Sequence, residues 1–194
     1  MSSNLYPGLL VVISGPSGVG KTTICHALVD RLGAQLSVSV TTRPAGPGEQ
    51  NGEAYLFLSD QQFKQHLDDG DFLEHAQVFG HSYGTLTKPV TQALQAGKIV
   101  VLEIDVNGAK QIRQRFDQAK MFLILPPAPD TLSDRLNTRQ RDAQTVIAER
   151  LAKADGEIRF ARESGCYDYT IVNDNLEEAI NQIVTIINQK KEKS

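Results

Sequence analysis

Gly15-Pro16-Ser17-Gly18-Val19-Gly20-Lys21-Thr22 reads G-x-x-x-x-G-K-T, and its flanks constrain the fold as much as its letters do. The apolar run Leu9-Leu10-Val11-Val12-Ile13 predicts a buried strand entering the loop. Residues 23–32 predict a helix leaving it, with Ile24, Ala27, Leu28 and Leu32 at helical spacing and Gly33 as the stop. Strand, glycine-rich turn and helix together describe a phosphate-binding loop. The glycines let backbone N–H groups converge on a polyphosphate, and the helix N-terminus adds partial positive charge. The candidate phosphate-contacting residues are Gly15, Pro16, Ser17, Gly18, Val19, Gly20, Lys21, Thr22 and Thr23. Lys21 is placed to reach the outer phosphates, and the Thr22 hydroxyl to hold Mg²⁺.

Beyond the loop, strand-like and helix-like runs alternate, which implies a mainly parallel sheet covered by helices. The predicted central strands are Leu9–Ser14, Ile99–Ile104, Met121–Leu125 and Thr170–Val172, each nearly all apolar, as strands buried on both faces are. The C-terminal helix carries one apolar stripe of Leu176, Ala179, Ile180, Ile183, Val184 and Ile187 behind a capping pair, Asn175 and Glu178. Another helix is predicted from about Thr145 to Glu163, with Ile147, Leu151, Ala154, Ile158 and Ala161 on one face.

Two stretches break the alternation. Residues 36–85 hold short strand-like pieces (Leu36–Val40 and Ala54–Leu58) and one short helix capped by Ser59 and Gln62, with Phe63 and Leu67 turned inward. A turn-rich loop, 43–52, lies between the two pieces. The whole stretch reads as an inserted β-rich subdomain. Residues 136–159 begin arginine-rich and polar, and read as a lid. The core then comprises 5–35, 86–135 and 160–194, in a three-layer α/β/α architecture within one domain of 194 residues.

Composition narrows the partners. A net charge of −3 gives no global argument for binding nucleic acid or an anionic membrane. Cys25 and Cys166 lack zinc-ligand spacing, and the four histidines show no metal pattern. The N-terminus lacks a cationic segment followed by an apolar core, and no run approaches membrane-spanning length, so the expected address is the cytoplasm. Monomer and homo-oligomer both stay open.

A series of further segments resembles the guanylate kinase family. It runs in order through Ser37–Arg43, Pro47–Tyr55, Phe72–Ala76, Tyr83–Thr85, Glu103–Gly108, Phe122–Pro127, Arg135 with Arg139, and Ile171–Asp174. The resemblance covers nearly the whole chain from Gly8 onward. It implies transfer of the ATP γ-phosphoryl group to GMP and dGMP, with Mg²⁺. In that frame Ser39, Glu74 and Thr85 match guanine contacts. Asp105 lies near the base and sugar and is a second candidate for the metal, through water. Arg43, Tyr55 and Tyr83 match the positions that hold the GMP phosphate. Lys21, Arg43, Arg139 and Arg150 match the charges that stabilise transfer, while Arg135 and Asn173 match the ATP side.

The chemistry fits these residue types. Guanine presents N1–H and its N2 amino group side by side, and one carboxylate accepts both. A site built on such bonds rejects the wrong base strongly, because its buried carboxylate is left unpaired. The attacking oxygen belongs to GMP's own phosphate, ionised near neutral pH, so no general base is needed. The protein's work is alignment and charge stabilisation, with the acceptor subdomain and lid closing over the core.

The chain also departs from the family pattern. Gly46 stands where a second arginine follows the one at Arg43, which predicts weaker GMP binding unless Lys88 or Lys110 fills in. Glu103 replaces the more usual aspartate, and Gln140 a usual glycine. Three other readings stay open: a binding module that has lost transfer, a kinase for another phosphorylated acceptor such as a ribose phosphate, and a GTPase. Asp105-Val106-Asn107-Gly108 matches D-x-x-G, but no Asn-Lys-x-Asp accompanies it.

Overall fold

A computed structural model describes residues 6–78, 80–128 and 144–189, with the side chains of 144–153 outside the description. Five parallel strands form the main sheet in the order β2-β7-β1-β8-β9. They are β1 (Leu9–Ser14), β2 (Gln35–Leu36), β7 (Ile99–Ile104), β8 (Lys120–Leu125) and β9 (Tyr169–Val172). The central strands are almost wholly apolar because both faces are covered, with Ser14, Glu103 and Lys120 the exceptions at or next to their ends. Alternate side chains of a strand point to opposite faces. Val11, Ile13, Val101, Phe122 and Ile124 therefore pack on one side, against α1 (Lys21–Leu32) and α6 (Leu176–Asn188). Leu10, Val12, Val100, Leu102 and Met121 pack on the other, against α3 (Thr87–Gln95) and α4 (Val106–Arg115). This is the three-layer α/β/α architecture expected from the sequence.

A second sheet has the order β4-β3-β6-β5, built from β3 (Ser39–Thr41), β4 (Tyr55–Phe57), β5 (Phe72–Val78) and β6 (His81–Leu86). The helix α2 (Asp60–Asp68) lies beside it, with the Ser59–Gln62 capping box formed in both directions. Phe63 stacks on Phe72, ring centroids 4.5 Å apart. Leu67, expected inward, is instead 42% exposed. The small cluster of Val40, Phe63 and Phe72 ends before the helix's last turn, so nothing covers that position.

The predicted strand Leu36–Val40 is two strands. Leu36 pairs with Val101 in the main sheet, and Ser39 starts the second sheet. The change of sheet therefore falls at Ser37–Val38 rather than before Leu36. Ser37 N–H still donates to the Val101 carbonyl at 2.9 Å. The helix α5 (Gln144–Ser164) matches the predicted one within a residue at each end and buries Ala154 and Ala161. In α6 the Asn175 side chain accepts from the N–H groups of Glu177 and Glu178. Neither α3 nor α4 was anticipated from periodicity, and α4 proves central to the site.

Candidate active site

The phosphate loop sits between the end of β1, the middle strand of the main sheet, and α1. Gly20, at the helix N-cap, has φ 99°, a left-handed conformation that favours glycine. A Cβ there would come within 2.7 Å of Asn173 Nδ2. That amide donates to the Val19 carbonyl at 2.8 Å and is buried, so Asn173 braces the loop from the end of β9. Below the loop, the Tyr167 hydroxyl donates to Ser14 Oγ at 3.0 Å, and burial pushes its pKa up. Neither strut follows from the sequence, because their partners lie more than 150 residues away.

Lys21 Nζ donates to the Gly15 carbonyl at 2.7 Å and the Pro16 carbonyl at 3.0 Å. Burial lowers its pKa, opposed chiefly by the carboxylate of Glu103. Thr22 Oγ1 donates to Glu103 Oε1 at 2.7 Å. Glutamate in place of the usual aspartate thus still reaches the loop hydroxyl. Asp105 caps α4, its Oδ1 accepting from Gly108 N–H at 2.8 Å. Its Oδ2 is buried without a hydrogen-bond partner among the described residues.

The second sheet supplies the rest through its register. Tyr55 pairs with Ser39, Ser39 with Thr85, and Thr85 with Glu74. Four site candidates from four strands therefore form one row on one face, with Tyr83 two residues along β6 from Thr85. Glu74 is 4% exposed and accepts from the Thr85 hydroxyl at 2.6 Å. Burial raises its pKa to about 7, with Asp105 adding repulsion and Thr85 opposing the rise. Gly108 makes room for it, since a Cβ at 108 would collide with Glu74 Oε2.

Arg43 is already paired. Its NH1 and NH2 donate to the two Glu49 oxygens at 2.8 and 2.9 Å, and its guanidinium lies 5.3 Å from the Tyr55 ring centroid. Those bonds hold its pKa above the ordinary arginine range. Glu49 Oε2 also accepts from Gly46 N–H at 2.6 Å. Glu49 drew no role from the sequence, although its spacing from Arg43 was the available signal. Neither lysine offered in place of the missing arginine fills its position: Lys110 lies over Phe160, and Lys88 is exposed outside the pocket.

One cavity of about 340 Å³ joins the two halves. Gly15, Ser17 and Lys21 line one end of it, and Ser39, Tyr55, Glu74 and Tyr83 the other, with Glu103 and Asp105 also in its wall. Glu157 of α5, which sequence reasoning missed, lines it as well. Arg135 and Arg139 lie outside the described residues, as does the side chain of Arg150. No group of three or more His, Cys, Asp or Glu side chains among the described residues forms a metal cage.

A phosphate loop on the middle strand of a parallel α/β/α sheet, facing a second sheet across a shared cavity, defines the class: a phosphate-loop nucleotide-binding protein with room for a second ligand. The family model for guanylate kinase matches residues 8–190, and the chain belongs to the guanylate kinase family. It is 45% identical over 187 residues to the guanylate kinase of Thermosynechococcus vestitus, covering 96% of each chain. It is 42% identical over 185 residues to that of Synechocystis, covering 95% of each. The crystal structure of guanylate kinase from Anaplasma phagocytophilum superposes with a TM-score of 0.74 at 30% identity, over 94% of this chain and 86% of that one.

Proposed function

We propose that this protein transfers the γ-phosphoryl group of ATP to GMP, and to dGMP, giving ADP and GDP. The observation that carries this reading is the shared cavity, with the phosphate loop at one end and a buried carboxylate at the other. ATP places its phosphates in the loop. Lys21 then exchanges the Gly15 and Pro16 carbonyls for phosphate oxygens, whose negative charge favours its ammonium form. Asn173 lies beneath the loop on the ATP side, the side to which the resemblance also assigns Arg135.

GMP lies along the second sheet. Glu74 accepts N1–H and the N2 amino group, while Ser39 and Thr85 flank the base. Asp105 offers its unpartnered Oδ2 to the base or sugar. Arg43, Tyr55 and Tyr83 take the phosphate once Arg43 releases Glu49. That phosphate attacks in line without a general base, since its second pKa lies near 6. Lys21 and Arg43 offset the charge on the moving phosphoryl group, and Arg139 and Arg150 join them from the lid segment.

Thr22, Glu103 and Asp105 present only oxygen atoms, a donor set that suits Mg²⁺. They fit an ion held mainly by substrate phosphates, with Thr22 as its direct protein contact and the carboxylates acting through water. Bound there, Mg²⁺ would supply positive charge to offset that of the ATP phosphates.

A coupled ADP-release assay with ATP and Mg²⁺ tests the reading, with GMP, AMP, CMP, UMP and ribose phosphates as acceptors. Turnover with GMP and none with AMP is expected. Turnover with a ribose phosphate alone, or ATP binding without transfer to any acceptor, overturns it.

A further inference from the structure

The edge strand β5 carries Glu74, and its outer side has no strand neighbour among the described residues. Edge peptides need partners from elsewhere or from water. Here α4 supplies them. Gln111 Nε2 donates to the His75 carbonyl at 2.7 Å, and Gln111 Oε1 accepts from His75 N–H at 3.2 Å. One carboxamide thus meets both polar groups of one peptide residue, as a neighbouring strand would. One turn on, Arg115 NH1 donates to the carbonyls of Phe72 and Leu73 at 2.7 and 2.9 Å. The residues on both sides of Glu74 are therefore held by the helix whose first turn, at Gly108, makes room for the Glu74 carboxylate.

This bracing falls where β5 needs it. The β5–β6 register shifts between Phe72 and Glu74, and a bulge re-aims the side chains around it. Left to strand pairing alone, the direction of Glu74 is weakly specified on one side. We propose that Gln111 is a positioning residue for Glu74: its carboxamide stands in for a missing strand and fixes the carboxylate that reads the acceptor base. The proposal rests on the base-reading role given to Glu74 above. Gln111 does not line the cavity, so its effect reaches substrate only through β5. Hydrogen bonds to a carboxylate depend steeply on alignment, and losing one good bond is worth about tenfold in affinity.

The test uses the full chain, wild type and Gln111→Ala, with kcat and KM measured for ATP, GMP and IMP. IMP lacks the N2 amino group and so reports one of the two base contacts. Wild-type turnover with GMP over AMP first checks the assignment of the site; without it that assignment falls, and this inference with it. In Gln111→Ala the GMP KM is expected to rise about tenfold, while kcat and the ATP KM stay within about twofold. The wild-type preference for GMP over IMP should shrink at the same time. Gln111→Glu keeps the acceptor for His75 N–H but turns a carboxylate oxygen onto the His75 carbonyl, so it should raise the GMP KM at least as much as alanine does; it serves alone if the alanine variant does not fold. A variant that melts earlier but keeps the wild-type GMP KM and GMP-to-IMP preference overturns the proposal.

Discussion

The ionisation of Glu74 should control GMP binding near neutral pH. Its carboxyl is buried, and its pKa stands at about 7 against an ordinary 4.5. Guanine's paired donors need the carboxylate, so only the ionised protein binds GMP well. About a quarter of the free protein is ionised at pH 6.5 and about nine-tenths at pH 8, so the GMP KM should fall about fourfold over that range. GMP's own phosphate titrates near pH 6 and contributes little above 6.5. Stability should move the opposite way. The folded carboxyl binds its proton more tightly than the unfolded one, so the folded state loses stability as pH rises from 4.5 to about 7. At about 1.4 kcal/mol for each pH unit, the full effect is about 3 kcal/mol, present below pH 4.5 and gone above 7.

The assay is GMP KM and GMP titration calorimetry between pH 6.5 and 8, for wild type and Glu74→Gln. Wild type should release about half a proton on binding at pH 7, and the glutamine variant none. A GMP KM that stays flat across this range in wild type, or that moves identically in Glu74→Gln, refutes the reasoning.

Three further perturbations separate the parts of the site. Gly108→Ala should raise the GMP KM at least tenfold by displacing the Glu74 carboxylate; alanine is the better helix former by about 1 kcal/mol, so a lost GMP site without a large drop in melting temperature is the expected signature. Gly46→Arg should lower the GMP KM about tenfold by restoring a second cation beside Arg43, and an unchanged KM means the missing arginine does not limit binding. Asn173→Ala orphans the Val19 carbonyl, so it should raise the ATP KM about tenfold and cost about 1–3 kcal/mol of stability, read from ATP titration and chemical denaturation.

What the sequence disclosed, and what it hid, follows from the range of the interactions. The phosphate loop was legible because its chemistry is consecutive: Gly15 to Thr22 carries its own strand and helix on either side. The main strands were legible because burial on both faces leaves long apolar runs. The row Tyr55–Ser39–Thr85–Glu74 was not legible as geometry. Register is a property of paired strands, and these come from residues spread over 39–85. The resemblance supplied the names of those residues but not their alignment. Glu49 drew no notice because an acid in a turn-rich loop looks solvated, whereas it pairs with both forks of Arg43. Gln111 gave no signal, and Gly108 entered only as the last letter of D-x-x-G, for the same reason. Each matters only for what lies across from it on β5.

The long reach of the loop's supports has a consequence for how the protein is made. The phosphate loop is synthesised well before its braces: Asn173 lies 154 residues after Val19 and Tyr167 lies 153 after Ser14. The β1 strand also needs β7 and β8 as its two neighbours. At roughly 5–20 residues per second, the nascent loop waits on the order of ten seconds for its last brace. Contacts this distant in sequence close slowly. A ribosome-bound chain halted before residue 167 therefore displays the full G-x-x-x-x-G-K-T signature and is not yet built to grip a nucleotide.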